Sequence, residues 1–310
     1  MAAGKDIAVL LLSFGGVDSP DAILPFLKNI IKGRAPSQEV VDTMRERYNR
    51  IGGKSPITDI TRMQAHALQS KLKNITKESL KVYVGMRHWH PFIKDTLLEI
   101  EKAGCKKIIA ICMTPQRSNF SAGGYKNDLL EGIKGLQKKP EVVFVPEWHL
   151  NCFFHEAVAE KINSAMASFK NKGNKTAVIF SAHSLPLKFL GKDDPYVKQI
   201  QETIREVLTF TGPLDWRLGY QSRGFIPGDW LEPTVESVIE NLPEEGYKNV
   251  LIVPIVFVSD HIETLYDIDI LYREQAESLD LNFNRSESLN ASPKFIDALA
   301  EIVIGEISNE

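Results

Sequence analysis

The chain carries a strand–helix pattern that occurs twice. Nearly continuous apolar runs alternate with segments of helical periodicity, such as the one in which Val235, Val238 and Ile239 recur at i, i+3 and i+4. The runs predicted as buried strands are IAVLLLSF, KVYVGM, KIIAICM, EVVFVPE, TAVIFSA, DWRLGY and VLIVPIVFV. This alternation predicts an α/β fold in which helices cover both faces of a parallel β-sheet.

The second occurrence of the pattern matches the first in order. Residues 84–121 and 218–263 both run through a strand, a glycine, a polar loop, an amphipathic helix, a second glycine and a lysine into another strand. We therefore predict two similar Rossmann-like halves, residues 1–160 and 161–310, joined near the polar stretch SFKNKGNKT. Because open parallel sheets bind ligands beyond the carboxyl ends of their strands, the active-site cleft is expected between the halves.

The halves differ where chemistry would occur. Aligning their first strands places Phe14 opposite His183, and aligning the glycines before their third strands places Ser121 opposite Glu263. The first half thus offers a ring and a hydroxyl where the second offers an imidazole and a carboxylate. We expect the reactive groups in the second half.

Composition and motifs exclude several classes of protein. A net charge of -3 without a basic stripe argues against nucleic-acid binding. The cysteines show no Cys-x-x-Cys spacing, which argues against a zinc ribbon or a disulfide framework and fits a reducing compartment. No signal peptide or membrane span is predicted, so a cytoplasmic location is expected, with peripheral membrane contact left open. SFGGVDSP lacks a dinucleotide fingerprint, and neither a phosphate loop nor a serine-hydrolase elbow occurs.

His183 and Glu263 form the most informative pair. Each follows an apolar run, and an imidazole with a carboxylate can bind a metal, accept protons or do both in sequence. Asp260, Glu263 and Asp267 recur at i, i+3 and i+7, so a helix would place them on one face. Such a row of acids could pass a divalent cation inward. The alternatives are that Asp260 caps a helix beginning at His261 and that Asp267 and Asp269 are simply solvated, which is the interpretation favoured for Asp269.

Other polar residues admit two readings. His88 and His90 form a His-x-His whose rings a strand end would direct to opposite sides. His261 is expected to anchor its loop, and His66, His149 and His155 are interpreted as structural. A polar-aromatic loop containing Arg47, Tyr48 and Ser55 could hold a planar, carboxylate-bearing ligand or only make a turn.

Taken together, these segments resemble the ferrochelatase family in its compact bacterial form, the enzymes that insert ferrous iron into a porphyrin in heme biosynthesis. The matching segments, in chain order, are YNRIGGKSPI, GMRHWHPFI, VIFSAHSLP, DDPY, YQSRGFIPGDWLEP, FVSDHIETLYDID and ESLNASPKFIDALA. They extend over nearly the whole chain. The resemblance implies a chelatase-like fold of two Rossmann-like halves.

The resemblance also implies roles for particular residues. It places catalysis and metal binding on His183 and Glu263, and a further metal-binding acid on Asp267. A later acid of the family's row is replaced by Leu271. The positions that it assigns to the porphyrin are Phe14, Ile31, Arg47, Tyr48, Ser55 and Tyr125. His88 is added to them as the histidine of the His-x-His that is expected to face the cleft.

Two departures bear on the substrate. Members acting on coproporphyrin III typically carry a tyrosine and an arginine where this chain has Phe14 and Ile31. Loss of the phenol and the guanidinium favours protoporphyrin IX over coproporphyrin III. We expect a monomer with porphyrin and Fe²⁺ as substrates, no permanently bound cofactor and no iron–sulfur cluster. The alternatives are a cobalt or nickel chelatase of another tetrapyrrole and a non-catalytic tetrapyrrole or metal carrier.

Overall fold

The structure is a computed structural model that describes residues 7–33, 35–171, 173–224 and 227–308. The chain divides into two compact units. Unit 1 contains the described residues up to Trp148 together with those from Asn290 onward, and unit 2 is His149–Leu289. Each unit contains one four-stranded, entirely parallel sheet.

The strands of unit 1 are β1 (Ile7–Ser13), β2 (Leu80–Met86), β3 (Lys107–Cys112) and β4 (Glu141–Val145), and those of unit 2 are β5 (Thr176–His183), β6 (Trp216–Gln221), β7 (Asn249–Pro254) and β8 (Asn282–Arg285). The α-helices are α1 (Ile23–Ile30), α2 (Gln38–Arg50), α3 (Ile57–Ile75), α4 (Ile93–Lys102), α5 (Ser121–Lys134), α6 (Cys152–Ala167), α7 (Tyr196–Thr211), α8 (Val235–Asn241), α9 (Arg273–Ser278) and α10 (Pro293–Ser308). A π-helix (Glu263–Tyr272) precedes α9, and Pro20–Ala22 and Leu187–Phe189 are short 3₁₀ turns.

The predicted repeat is confirmed. The strand order is β2-β1-β3-β4 in one unit and β6-β5-β7-β8 in the other. The register agrees as well: Leu12 pairs with Gly85, and its equivalent Ser181 pairs with Gly219. The predicted α/β class with parallel sheets flanked by helices is therefore correct.

Local sequence signals explain several helix starts. The Ser37 hydroxyl accepts a hydrogen bond from the Val40 N–H at the start of α2, and Asn151 and Thr234 cap α6 and α8 in the same way. The central strands β1 and β5 are buried nearly throughout, as their continuous apolar sequences predict.

The predicted strands need two corrections, one to the length of a strand and one for a strand that was not predicted. The run VLIVPIVFV is a strand only as far as Pro254, where β7 ends. Strand β8 was not predicted, because its sequence, NFNR, is short and has a single apolar residue, Phe283, which is buried. A segment of four residues is too short to show a periodic pattern of apolar residues.

The units also differ from the predicted halves, 1–160 and 161–310. The predicted boundary falls within α6, which packs against α7 in unit 2. The C-terminal helix α10 belongs to unit 1, where it packs against α3 and Asp297 pairs with Lys71 at 2.7 Å. No helix among the described residues is long and apolar enough to cross a membrane.

Each unit has a glycine at the equivalent position of its second strand, Gly85 in β2 and Gly219 in β6, and both glycines have a packing role. A Cβ on Gly219 would lie 2.9 Å from Val235 Cγ2 and 3.0 Å from Val235 Cα. A Cβ on Gly85 would lie 3.2 Å from Ile93 Cγ1. In both units the absence of a side chain lets the following helix lie directly against the strand.

We predict that Gly219→Ala lowers the free energy of unfolding by about 1–3 kcal/mol, because backbone atoms of α8 must move to admit the methyl group. Gly85→Ala should cost less, since its contacts are longer. Gly191→Ala, where a Cβ would meet nothing within 4 Å, is the control. Urea unfolding measures the free energy of unfolding of the three variants. An equal loss of stability in Gly219→Ala and Gly191→Ala would contradict the prediction.

Candidate active site

The predicted His183–Glu263 pair is formed. His183 is the last residue of β5, and Glu263 is the first residue of the π-helix. His183 Nδ1 lies 3.0 Å from Glu263 Oε2, and the two side chains are 33% and 27% exposed. Eighty positions apart in the chain, they meet as a partly exposed, hydrogen-bonded pair.

The pair shifts the pKa of both partners. Burial would lower the pKa of His183, but the Glu263 carboxylate and its hydrogen bond raise it above its ordinary value. Burial would likewise raise the pKa of Glu263, yet the His183 imidazole holds it well below its usual range. Because an ionised carboxylate only accepts hydrogen bonds, Nδ1 of His183 carries the proton that is shared with Glu263. In the neutral imidazole, Nε2 then has the lone pair.

Helix α7 and strand β6 fix the position of His183. The Tyr196 hydroxyl donates to the His183 carbonyl at 3.0 Å, and the Ser184 N–H donates to the Gln221 carbonyl at 2.8 Å. Tyr196 is buried, which raises the pKa of its hydroxyl well above the ordinary value and keeps it a donor. The imidazole is therefore presented from a restrained strand end.

A second imidazole approaches the carboxylate. His261 Nε2 lies 3.8 Å from Glu263 Oε2, while its Nδ1 lies 3.0 Å from the Ser259 carbonyl. The bond to Ser259 agrees with the predicted loop anchor. The approach to Glu263 was not predicted, and the separation of only two positions in the sequence was its one available signal.

Asp267 lies one π-helical turn beyond Glu263 and is buried. Ser222 Oγ donates to its Oδ2 at 2.5 Å, and Ser222 itself has a left-handed backbone with φ 60°. Gln221 Nε2 reaches the Glu263 carbonyl at 3.4 Å. The end of β6 thus contacts the π-helix at two places, and neither Gln221 nor Ser222 was predicted.

The prediction for Asp269 was wrong. Its carboxylate is not simply solvated but forms two hydrogen bonds with Arg285, 2.8 and 2.9 Å long. The carboxylate of Asp260, the other residue left open, accepts from Arg285 at 3.0 Å and Ser288 at 2.8 Å. Both acids are engaged by side chains at and just beyond the end of β8.

In unit 1, two predicted residues meet directly. The rings of Phe14 and His88 lie 4.5 Å apart, and Phe14 also contacts Phe26 at 6.2 Å. Phe14 is 41% exposed, whereas His88 is buried. His90 instead packs on Phe92 at 4.4 Å. His88 and His90 were predicted to point to opposite sides of a strand end. Strand β2 ends at Met86, before either histidine, so strand alternation is not what separates their rings.

The remaining predicted porphyrin residues lie on several elements of unit 1. Arg47 and Tyr48 belong to the last turns of α2, not to a loop as predicted, and Tyr48 is buried. Ser55 lies in the following turn and is also buried, and Ile31 follows the end of α1. Arg47 was misplaced because the helix continues to Arg50 before the glycines end it.

Tyr125, on α5, lies beneath a guanidinium. Arg87 lies 5.5 Å from the centre of its ring and pairs with Asp128 at 3.0 Å. Gly124 makes the approach possible, since a Cβ there would lie 2.1 Å from the Arg87 guanidinium. Burial raises the pKa of Tyr125.

Within the described residues, no group of three or more His, Cys, Asp or Glu side chains is arranged to hold a metal ion.

The architecture is an α/β fold that solved chelatase structures also have. Solved structures with this fold include the sirohydrochlorin chelatase SirB from Bacillus subtilis subspecies spizizenii in complex with cobalt, with TM-score 0.54, 10% identity and 98% and 96% of the two chains covered. DR2241 from Deinococcus radiodurans matches with TM-score 0.53, 10% identity and coverage of 96% and 55%. At such identities the likeness concerns the fold alone.

The sequence comparisons are more specific. The family described as Ferrochelatase matches residues 6–307. Among similar proteins are the ferrochelatase of Geotalea uraniireducens, 39% identical with 98% of each chain covered, and the coproporphyrin III ferrochelatase of Halalkalibacterium halodurans, 36% identical with 96% of each covered. The chain belongs to the ferrochelatase family, enzymes of the lyase class that insert metal into porphyrin.

His88 provides a test of the electrostatics in unit 1. Burial, and then the charge of Arg87, lower the pKa of His88 to about 4. We predict that its imidazole stays neutral from pH 7 down to about pH 5 and that Arg87→Gln raises its pKa. Imidazole NMR titration, with His88→Asn used for assignment, measures this. Titration of His88 near pH 6.5 in the unchanged protein would contradict it.

Proposed function

We propose that this protein inserts Fe²⁺ into protoporphyrin IX to form heme, with His183 and Glu263 as its catalytic residues. The observation that supports the proposal most is the hydrogen bond between His183 Nδ1 and Glu263 Oε2. Iron enters as substrate, and no permanently bound cofactor takes part in the proposed reaction.

The chemistry requires the loss of two protons. A free porphyrin carries two inner N–H groups, and both protons must leave as Fe²⁺ takes their place. Because Nδ1 of His183 donates to Glu263, Nε2 is the atom that would accept a pyrrole proton. The imidazolium formed would be stabilised by the Glu263 carboxylate, which is already ionised.

Iron also needs ligands on its way to the ring. Imidazole nitrogen suits Fe²⁺, and carboxylate oxygens suit hard divalent cations. We assign His183, Glu263 and Asp267 to metal binding as successive contacts of the ion, since the described residues include no group of three such side chains arranged to hold it at once. Glu263 and Asp267 lie on successive turns of the π-helix, and Ser222 holds the Asp267 carboxylate in place.

The choice of protoporphyrin IX rests on two side chains in unit 1. Phe14 has no phenol to ligate product iron, and Ile31 has no guanidinium to pair with a propionate. The exposed Phe14 ring, packed on His88, offers an apolar face instead. Overall identity does not separate the two substrates, since the coproporphyrin III ferrochelatase from Halalkalibacterium halodurans is as similar as relatives named only ferrochelatase.

Replacing the imidazole tests the catalytic assignment. We predict that His183→Ala lowers the rate of iron insertion by about 10²–10⁴-fold, the usual contribution of a general base, while porphyrin still binds. Anaerobic loss of porphyrin fluorescence at catalytic enzyme concentration measures the rate. His66→Ala, at an exposed histidine of α3, is the control. Normal turnover in His183→Ala would remove His183 from the mechanism.

The same assay separates the proposed enzyme from a carrier, which would quench fluorescence only in proportion to its own concentration. Comparing Fe²⁺ with Co²⁺ and Ni²⁺ tests the alternative of a different chelatase. Wild-type protein that quenches without turnover would contradict the proposed function.

The substrate is tested by comparing rates with the two porphyrins. We predict a higher kcat/KM with protoporphyrin IX than with coproporphyrin III. The double substitution Phe14→Tyr with Ile31→Arg should shift the ratio towards coproporphyrin III by about tenfold or more, the worth of one charge-assisted contact. The single variants apportion the effect. A wild-type preference for coproporphyrin III would overturn the choice of substrate and leave the catalytic assignment standing.

A further inference from the structure

Arg285 binds an acid on each side of the catalytic glutamate. It is the last residue of β8. Its Nε and Nη2 donate to the two oxygens of Asp269 at 2.8 and 2.9 Å, and its Nη1 donates to Asp260 Oδ1 at 3.0 Å. Asp260 precedes Glu263 by three residues, and Asp269 follows it by six. One guanidinium therefore spans the segment that carries Glu263.

The contact is largely enclosed. The side chain of Arg285 is 11% exposed, and those of Asp260 and Asp269 are 19% and 26% exposed. Burial would lower the pKa of Arg285, but the hydrogen bonds and charges of the two carboxylates raise it above its usual value. A planar donor that binds one carboxylate through two parallel bonds also fixes orientation, which a lysine ammonium does not.

The network continues to the neighbours of Glu263. Ser288 Oγ donates to Asp260 Oδ1 at 2.8 Å, and Thr264 Oγ1 lies 3.2 Å from the same oxygen. Thr264 Oγ1 in turn accepts from the His261 N–H at 3.0 Å. Thr264, which directly follows Glu263, and His261, two residues before it, are thus linked to Arg285 through Asp260.

This arrangement connects both members of the catalytic pair to one sheet. Arg285 pairs with Ile252 of β7, and Ile252 pairs with Ile179 of β5, the strand that ends in His183. The π-helix that carries Glu263 has the looser i→i+5 hydrogen bonding and is rarely stable by itself. Its position therefore depends on tertiary contacts such as the one with Arg285.

We propose that Arg285 is a positioning residue of the metal-insertion site, which holds the segment from Asp260 to Asp269 so that Glu263 faces His183. This rests on the proposed function of that pair. Arg285 touches neither member of it directly in the contacts described above. Its effect is on the geometry at which an incoming metal ion meets the carboxylate.

The decisive variant is Arg285→Lys, which keeps the charge but binds only one carboxylate well. Arg217→Lys is the matched control, because Arg217 also bonds two acids, Asp215 and Glu245, both at 2.8 Å. Arg217 lies near the start of β6, far along the strand from Gln221 at its carboxyl end. Both variants are measured at a temperature where circular dichroism shows them folded.

We expect Arg285→Lys to lower kcat/KM for Fe²⁺ on the order of 10- to 100-fold, the effect of a misplaced reacting group. The KM for porphyrin should stay unchanged, and Arg217→Lys should keep wild-type kinetics even if its melting temperature falls. Equal kinetic parameters in the two variants would show that Arg285 is merely structural and overturn the proposal. Should Arg285→Lys fail to fold, Asp269→Asn removes the two-bond contact and has the same expected outcome.

Co²⁺ binding in the absence of porphyrin separates this proposal from the proposed function. We expect Arg285→Lys to weaken Co²⁺ binding, followed by visible absorption, by about tenfold, and Arg217→Lys to leave it unchanged. Wild-type protein that binds Co²⁺ but inserts no iron would overturn the proposed function alone. Unchanged Co²⁺ affinity in Arg285→Lys would overturn the positioning role alone.

Discussion

The hydrogen bond from His183 Nδ1 to Glu263 Oε2 depends on ionisation of the carboxylate. An ionised Glu263 can only accept, so it fixes which imidazole nitrogen carries the proton and leaves Nε2 as the acceptor atom. The bond joins the end of β5 to the start of the π-helix, so each element must be held separately. Tyr196 and Gln221 hold the strand end, and Arg285 holds the acids on either side of the glutamate.

The repeated architecture separates scaffold from chemistry. The two sheets have the same strand order and the same register, down to the glycines that let a helix lie against the second strand. At the equivalent strand end, unit 1 has Phe14, and unit 2 has His183. Unit 1 thus has the exposed Phe14 ring packed on the buried rings of Phe26 and His88, and unit 2 has an imidazole with an ionised acid. The same backbone frame therefore carries different side chains at equivalent positions in the two units.

Much of this follows from sequence periodicity and residue type. The seven apolar runs all contain strands, and the repeat correctly predicted equivalent positions at residue level. The pairing of His183 with Glu263 was also predictable, because both follow central strands of a parallel sheet and such ends converge at one edge. Helix boundaries were less predictable from the sequence: α2 extends through Arg47 and Tyr48, which had been predicted to lie in a loop.

The sequence by itself determined the α/β class, the duplication, the family and the pairing of His183 with Glu263, because each is encoded in patterns that are local or repeated. Only the tertiary structure decided that Asp269 is ion-paired, that Ser222 and Gln221 contact the π-helix, and that α10 belongs with the first unit. The physical reason is that these contacts join residues far apart in the chain through single side chains. Arg285 lies in a four-residue strand with no periodic signal, and its two partners are ordinary surface-type acids until the fold encloses them.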